Sequence, residues 1–519
     1  MKRLPVTHSD SSRPKGKLII IDFGSQYTQL IARRIRELRV YTEIRSCRTP
    51  AKKIIDEKPT AIVLSGSPGS INRAGPGISR RIVESGIPVL GICYGMQVIA
   101  QLMGGRVRAR EEREYGRTEI EVVRKVGVFS RLPKRFVVWM SHGDSVVRVP
   151  PGFRILARSK NIPIAAFGSE SIYGVQFHPE VSHTQFGKEM LSNFLFKVAG
   201  VKKSWNLKSF VAEKVEEIRR EVGDKNVICG LSGGIDSATA ASIVGRAVGN
   251  RLHTIFVDNG LLRSGEVGEV IRTFGNQYNF HFIDARRKFL SRLKGITEPE
   301  RKRKIIGNTF IQVFEEEASR IRNVGYLIQG TLYPDVIESG KGIGPAAVIK
   351  SHHNVGGLPQ RMGLKIIEPL RLLFKDEVRK VARNLGLPKS IINRKPFPGP
   401  GVAVRIIGSV TDRRLDTLRA ADQILIEEAK RFKIYKDLWQ IFPVLLPVSS
   451  VGVMGDKRCY GETIVIRAVI SEDGMTADWA RLPYSLMENV SRRITNEVKG
   501  IVRVVYDLSS KPPATIEWE

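Results

Sequence analysis

Cys229-Gly230-Leu231-Ser232-Gly233-Gly234-Ile235-Asp236-Ser237 is the stretch from which the architecture can be read outward. It follows an apolar, strand-like run at 226–229 and leads into a small-residue helix at 238–248 that opens on Ala238. Gly233 and Gly234 let the backbone wrap closely enough for N–H groups to point at phosphate oxygens. The dipole of the following helix favours negative charge at the same place. Ser232 and Ser237 add hydroxyl donors, and Asp236 can cap the helix or hold a metal ion near the phosphates. No Gly-Lys-Ser/Thr ending follows, so transfer of a γ-phosphate is not the natural reading. Further strands are expected at 252–257, ending in Asp258-Asn259-Gly260, at 279–284, and at 326–329, ending in Gly330-Thr331. The alternation predicts a doubly wound α/β layer, with a nucleotide base over the carboxyl edge near Val257 and Gly330.

The chain has 519 residues, which a prior of about 150 residues per domain divides into three or four units. No apolar run approaches the roughly 18–20 residues needed to cross a bilayer. Residues 1–16 read as a disordered basic tail without the apolar centre of a secretory signal. Cys47, Cys93, Cys229 and Cys459 lie far apart, with no Cys-x-x-Cys pair, which fits a reducing cytoplasm. Lys and Arg number 84 against 52 Asp and Glu, a net charge of +32. The basic residues are spread along helices with acidic neighbours, as in Arg33, Arg34, Arg36 and Glu37. Without a dense basic tail or aromatic platform, solvated helix faces are expected and specific nucleic-acid binding is not.

A second reactive pattern lies nearer the N-terminus. Buried strands are expected at 17–23, 61–64 and 87–92, with an amphipathic helix at 26–38, again predicting a mostly parallel sheet. The third strand delivers Gly91-Ile92-Cys93-Tyr94-Gly95-Met96-Gln97, the spacing of a nucleophile elbow. The helix that follows aims its N-terminal dipole at the sulfur, which favours the reactive thiolate. Backbone N–H groups of Tyr94 and of the loop at Gly66 can hold an oxyanion. A strand at 171–177 runs into His178-Pro179-Glu180, a base beside a carboxylate that can orient it. Taken alone, Cys93 reads as an inert buried thiol; this partner changes that reading. The other histidines, His8, His183, His253 and His281, are expected to be structural.

Two resemblances follow from these residues. Ser-Gly-Gly-x-Asp-Ser resembles the loop of ATP pyrophosphatases, which adenylylate an oxygen and release pyrophosphate. Asp22-Phe23-Gly24-Ser25-Gln26-Tyr27, the Cys93 motif, Ser141-His142-Gly143-Asp144 and Gln176-Phe177-His178-Pro179-Glu180 together resemble a class I glutamine amidotransferase. That likeness implies that Cys93 attacks the glutamine amide, that His178 protonates departing ammonia and that Glu180 holds His178. Gln97 and Asp144 match positions used around glutamine or at a domain contact. Ser65-Gly66-Ser67-Pro68 departs from the paired glycines often found in relatives, which leaves the oxyanion donors less fixed.

Between Gly330 and Pro369 the chain reads as irregular, a lid or binding loop. There Asp335 and Glu338, with Asp236, are candidate Mg²⁺ ligands, and Lys350 a candidate to neutralise charge on a transferring phosphoryl group. His352 and His353 lack a third zinc ligand at a sensible spacing. From residue 396 the chain opens on Pro396-Phe397-Pro398-Gly399-Pro400-Gly401. A strand at 402–407, a helix at 411–431, strands at 444–451 and 463–470, a helix at 482–498 and a strand at 502–506 are then expected. The closing Lys511-Pro512-Pro513-Ala514-Thr515-Ile516-Glu517-Trp518-Glu519 reads as tied down.

With these features the resemblance covers nearly the whole chain, which is similar to glutamine-hydrolysing GMP synthetases. It implies a class I amidotransferase domain at 17–203, an ATP pyrophosphatase domain at 206–395 and a dimerising α+β domain that binds xanthosine 5′-monophosphate (XMP) at 396–519. It also implies ATP as substrate, Mg²⁺, a homodimer, and Arg303, Gln440, Arg503, Lys511, Ile516 and Glu517 around XMP. Two rivals share parts of the pattern. Glutamine-dependent NAD synthetases do not join a Cys-His-Glu unit to this C-terminal piece, and a tRNA-thiolating enzyme with the same phosphate loop would carry paired or catalytic cysteines near it.

Overall fold

The computed structural model describes residues 17–73, 75–339, 363–454, 456–471 and 477–519. The basic tail, Lys350, His352 and His353 lie outside the described residues. The chain divides into two compact units, one made of the residues up to Phe210 with 337–344, the other of Val211–Val336 and 345–519.

The first unit is built on a nine-stranded sheet. Its order is Thr42–Ser46, Leu18–Asp22, Ala61–Leu64, Val89–Ile92, Ile172–Val175, Ala166–Gly168, Arg154–Ser159, Arg106–Val122 and Arg135–Arg148. The first five run parallel. Leu18, Ile19, Ile20 and Ile21, like Ala61, Ile62, Val63 and Leu64, are wholly buried, as strands covered on both faces must be. The other four strands extend the sheet antiparallel. Sequence reading misses the long pair Arg106–Val122 and Arg135–Arg148. The first is charge-rich, and the second alternates buried with half-buried residues instead of forming an apolar run.

The second unit opens with a five-stranded, wholly parallel sheet in the order Asn279–Asp284, Leu252–Asp258, Asn226–Gly230, Val324–Ile328, Lys365–Ile367. The strand order reverses between Asn226–Gly230 and Val324–Ile328, the switch point where open α/β sheets take ligands. The helix after the phosphate loop starts earlier than expected, at Ile235 rather than Ala238, and runs to Val248. The supposedly irregular stretch after Gly330 begins with a helix, Tyr333–Ser339, and ends in the edge strand Lys365–Ile367.

The remainder holds a sheet in which Gln440–Met454 and Lys457–Ile470 form an antiparallel hairpin, with Ile501–Tyr506 added parallel to the second strand. Helices Asp412–Arg431 and Tyr484–Glu497 accompany it. The strand expected at 402–407 does not exist; Gly401–Arg405 is a buried 3-10 turn. The reason is steric: Gly401 has φ +68°, and a Cβ there would stand 2.2 Å from the Leu261 carbonyl oxygen. That approach joins the turn to the pyrophosphatase-like sheet, and Val402 N–H donates to the same oxygen at 2.8 Å. One apolar core accordingly runs through Ile228, Ile255 and Leu327 of the parallel sheet into Val402, Leu415, Leu445 and Ile494.

Candidate active sites

Cys93 sits between the buried strand Val89–Ile92 and the helix Tyr94–Leu102 with φ +53° and ψ −105°. This is a conformation that a side chain rarely adopts, and it marks a strained, projecting position. The flanking glycines permit it. A Cβ on Gly91 would lie 2.5 Å from the Gly95 carbonyl carbon, and one on Gly95 would lie 2.4 Å from the Leu64 oxygen. Gly95 N–H donates to the Ser65 carbonyl at 3.0 Å, pinning the elbow to the neighbouring loop. Tyr94 N–H, first in the helix, has no intrahelical acceptor and is free in principle for an oxyanion. The Tyr94 hydroxyl donates to the Pro76 carbonyl at 2.8 Å, and burial pushes its pKa up to about 12, so it stays neutral.

His178 and Glu180 are 3% and 1% exposed, and His178 Nδ1 lies 2.7 Å from Glu180 Oε1. Burial pulls the imidazole pKa down, but the charges of Glu180 and Cys93 overcome it and hold it well above 6.5. The Tyr27 ring packs on His178 at 4.8 Å, and a Cβ on Gly66 would be 3.4 Å from His178 Cε1, so both loops crowd the ring. Thr184 Oγ1 donates to the His178 carbonyl at 2.6 Å. The structure thus brings His178 against Glu180 and within reach of the Cys93 charge. Gln97 is not turned outward: its buried amide donates to the Asp144 carbonyl at 2.9 Å and faces Gln176 Oε1 at 3.4 Å. Asp144 accepts from Ser70 on the facing loop. Sequence reading gives no role to Arg34, whose Nε donates to the Glu180 carbonyl at 2.9 Å, and quotes Gln176 in a motif without seeing that its amide lies 3.8 Å from Cys93 Sγ. By its acidic neighbour in sequence, Glu37, Arg34 reads as a solvated charge. Arg36, in the same run, is 4% exposed and stacks over Trp205 at 5.0 Å.

In the second unit the loop after Asn226–Gly230 presents the helix Ile235–Val248 end-on, with Gly234 at its start and no side-chain cap. The N–H groups of Ile235, Asp236 and Ser237 are thus the unsatisfied donors of a 14-residue helix. Gly233 has φ +71°. Ser232 Oγ and Ser237 Oγ are 3.1 Å apart. Gly330 packs on the helix's first turn, where a Cβ would stand 3.3 Å from the Asp236 carbonyl carbon. Ala238 and Val257 are buried beside these elements. Lys375, unremarked in the sequence, forms an ion pair with Asp236 Oδ2, while Asp236 Oδ1 is buried without a partner. Asp335 Oδ2 accepts from Leu332 N–H at 3.0 Å. Glu338 lies on the helix Tyr333–Ser339. Among the described residues no three His, Cys, Asp or Glu side chains converge as a metal site.

The residues expected around XMP divide. Arg303 and Glu517 belong to a clasp on the C-terminal segment: Arg303 bonds the Glu519 carbonyl, and Arg405 grips Glu517 bidentately at 2.8 and 3.0 Å. Ile516 packs on Phe442, Val444 and Val465. Lys511 is held by paired backbone bonds to Ala477. Gln440 donates to the Pro396 carbonyl at 2.8 Å, at the start of the strand Gln440–Met454. Arg503 donates to Ser450 Oγ at 2.7 Å, ten residues further along that strand. That separation is about 33 Å of extended chain, so one chain does not bring Gln440 and Arg503 together. His253 and His281 bond each other at 3.0 Å and His281 bonds Glu317 at 2.8 Å, while His183 packs on Trp139. His8 lies outside the described residues.

Comparison with known proteins follows this division. Residues 19–198 match the family described as glutamine amidotransferase class-I, residues 205–270 that described as NAD synthase, and residues 427–518 that described as GMP synthase C terminal domain. The chain is 54% identical to a GMP synthase [glutamine-hydrolyzing] of Carboxydothermus hydrogenoformans over 97% of this chain and 99% of that protein. The corresponding protein of Aquifex aeolicus is also 54% identical with the same coverage, and that of Syntrophomonas wolfei is 53% identical over 97% of this chain and all of its own length. With relatives 53–54% identical across 97% of its length, the chain belongs to the glutamine-hydrolysing GMP synthase family.

Proposed function

We propose that the protein makes GMP from XMP, ATP and glutamine. Cys93 Sγ attacks the carboxamide carbon of glutamine, and His178, held by Glu180, gives its proton to the departing nitrogen, which leaves as ammonia. Water then attacks the thioester and releases glutamate and the thiol. In the second unit the C2 oxygen of XMP attacks the α-phosphorus of ATP and expels pyrophosphate. Ammonia then attacks C2 and displaces AMP, leaving GMP. Cleavage between the α- and β-phosphates suits a loop that offers its donors to pyrophosphate and carries no Walker lysine.

The observation that carries this reading is the elbow itself: Cys93 at φ +53° in the same chain as an uncapped phosphate-binding helix, with a carboxylate-oriented histidine in the amidotransferase unit. Asp236, Asp335 and Glu338 are the residues that would hold Mg²⁺. The fit is good, since Asp236 Oδ1 is buried and unpartnered and Mg²⁺ commonly uses one or two carboxylates with substrate phosphates. When bound, the ion would neutralise charge on the leaving pyrophosphate. Asp335, Glu338 and Lys350 are assigned to the region around the triphosphate, and Arg303, Gln440, Arg503, Lys511, Ile516 and Glu517 to XMP.

A homodimer through the C-terminal sheet is part of the proposal. Val448, Val451, Val453 and Tyr460 on its hairpin are each at least half exposed, an apolar strip that a second copy would cover. The four unpaired cysteines agree with a cytoplasmic setting. The test is Cys93→Ala, assayed for AMP, pyrophosphate and GMP with either glutamine or ammonium. Loss of the glutamine-driven reaction with the ammonium-driven one intact supports the proposal; glutaminase activity retained in the variant refutes it.

A further inference from the structure

The phosphate loop is fixed from behind by a residue that the proposed chemistry does not use. Arg394 lies in the segment between the helix Lys389–Ile392 and the buried turn Gly401–Arg405. Its Nη1 donates to the Gly233 carbonyl, and its Nη2 is ion-paired with Glu266, both side chains being nearly buried at 14% and 10% exposure. The fit is close, since a Cβ at Gly233 would stand 2.5 Å from Arg394 Nη1. Within a trans peptide the carbonyl and the next N–H point in opposite directions. Holding the Gly233 oxygen therefore turns Gly234 N–H away from Arg394, where its acceptor is Ser232 Oγ at a long 3.2 Å. Such a weakly satisfied donor beside an uncapped helix start is what a phosphate oxygen would take over.

Arg394 is itself anchored. Glu266 Oε2 accepts from Arg263 N–H at 3.2 Å, and Arg263 Nε lies 3.3 Å from Asp422 Oδ2 on the long C-terminal helix. Asp422 is 5% exposed, and the Phe397 ring lies between the Arg263 and Arg405 guanidinium groups at 5.3 Å from each. Glycine at 233 supplies no side chain of its own and sits in a left-handed conformation, so its peptide plane depends on this outside grip.

We infer that Arg394 is a positioning residue for the phosphate loop, locking the Gly233–Gly234 peptide so that its N–H is presented to the polyphosphate of the nucleotide. The inference rests on the proposed ATP chemistry and deepens it. Arg394→Met lets the peptide rotate and removes the ion-pair partner of Glu266 Oε1; Arg394→Lys keeps a charge but loses the two-pronged grip.

The experiment is steady-state kinetics of pyrophosphate release with ammonium as nitrogen donor, varying ATP and XMP separately, with thermal unfolding recorded for each variant. Arg394→Met is expected to raise the KM for ATP about tenfold or more while the KM for XMP stays within about twofold. Arg394→Lys should recover part of that loss. If Arg394→Met does not fold, Glu266→Gln provides the same comparison with a smaller expected rise. Equal loss toward both substrates, or wild-type ATP kinetics in a folded variant, overturns the inference. A wild-type protein that releases no pyrophosphate overturns the proposed function and this inference with it; wild-type turnover with an unselective variant overturns the inference alone.

Discussion

Replacing Glu180 by Gln tests the amidotransferase site at its least conspicuous member. The carboxylate is 1% exposed and meets His178 Nδ1 at 2.7 Å, so the bond is buried and charge-assisted. Such bonds contribute about 1.5–3 kcal/mol, equivalent to a factor of roughly 10 to 150. Glutamine is nearly isosteric, but its amide can offer N–H to Nδ1, which would leave the histidine's proton on Nε2 and favour the wrong tautomer. A second effect follows from Glu180 Oε2, which is buried without a partner. If the amide nitrogen occupies that position, an unsatisfied donor destabilises the first unit by about 1–3 kcal/mol. Glutamine-dependent GMP formation is therefore expected to fall at least 10- to 150-fold, and thermal unfolding of the first unit to begin earlier. Ammonium-dependent formation should stay within about twofold of wild type. The assay is GMP production with each nitrogen donor in parallel, with glutamate release measured separately. An equal fall with both donors, or glutamate release at the wild-type rate, refutes the reasoning.

The same imidazole gives a pH dependence. Because its folded pKa stands well above 6.5, the stability it contributes is complete below 6.5 and is lost as pH rises through the folded value; the unfolding temperature of the first unit should decline over that range in wild type and less in Glu180→Gln. Gly95→Ala places a Cβ 2.4 Å from the Leu64 oxygen and 2.7 Å from Leu64 Cβ. Overpacking of this kind costs about 1–3 kcal/mol, and calorimetry should show roughly 2–4 °C lost for each, with glutaminase falling more than ammonium-dependent turnover. Glu517→Gln leaves the Arg405 guanidinium, 1% exposed, without its counter-charge. Unfolding in denaturant should show a loss of about 3 kcal/mol or more, partly restored in the double variant Arg405→Met, Glu517→Gln.

What the sequence made legible was whatever has a short-range cause. The elbow at Cys93 needs small residues two positions either side, and the phosphate loop needs glycines between a strand and a helix, so both are written contiguously. His178 and Glu180 stand two residues apart, and their contact follows from that spacing. Arg34, Gln176, Lys375 and Arg394 were not legible because each acts across a long sequence separation: Arg34 reaches a carbonyl 146 residues away, and Arg394 one 161 residues away. The turn Gly401–Arg405 was mistaken for a strand because Val402-Ala403-Val404 has a strand's composition. Its conformation is set by Leu261, more than a hundred residues earlier.

The charge excess is not wholly a matter of solvated helix faces. A basic residue on a helix beside an acidic one suggests a solvated pair, yet several cations of this chain are inside it. Arg405 and Arg467 are among the largest fully buried side chains, and Lys302 joins them at 0% exposure. Their partners are at the chain's end. Lys302 Nζ meets Glu519 at 2.6 Å, and Arg467 donates to the carbonyls of Ser509, Thr515 and Ile516. Burial lowers the Lys302 pKa and raises that of Glu519, so the low-dielectric surroundings oppose both charges while their contact favours them. A segment held this way gains definition more than stability, because hydrophobic replacements would pack as well without fixing the position of each carbonyl. Definition is what the XMP-binding role proposed for this segment requires. These buried cations set the geometry of Ile516 and Glu517.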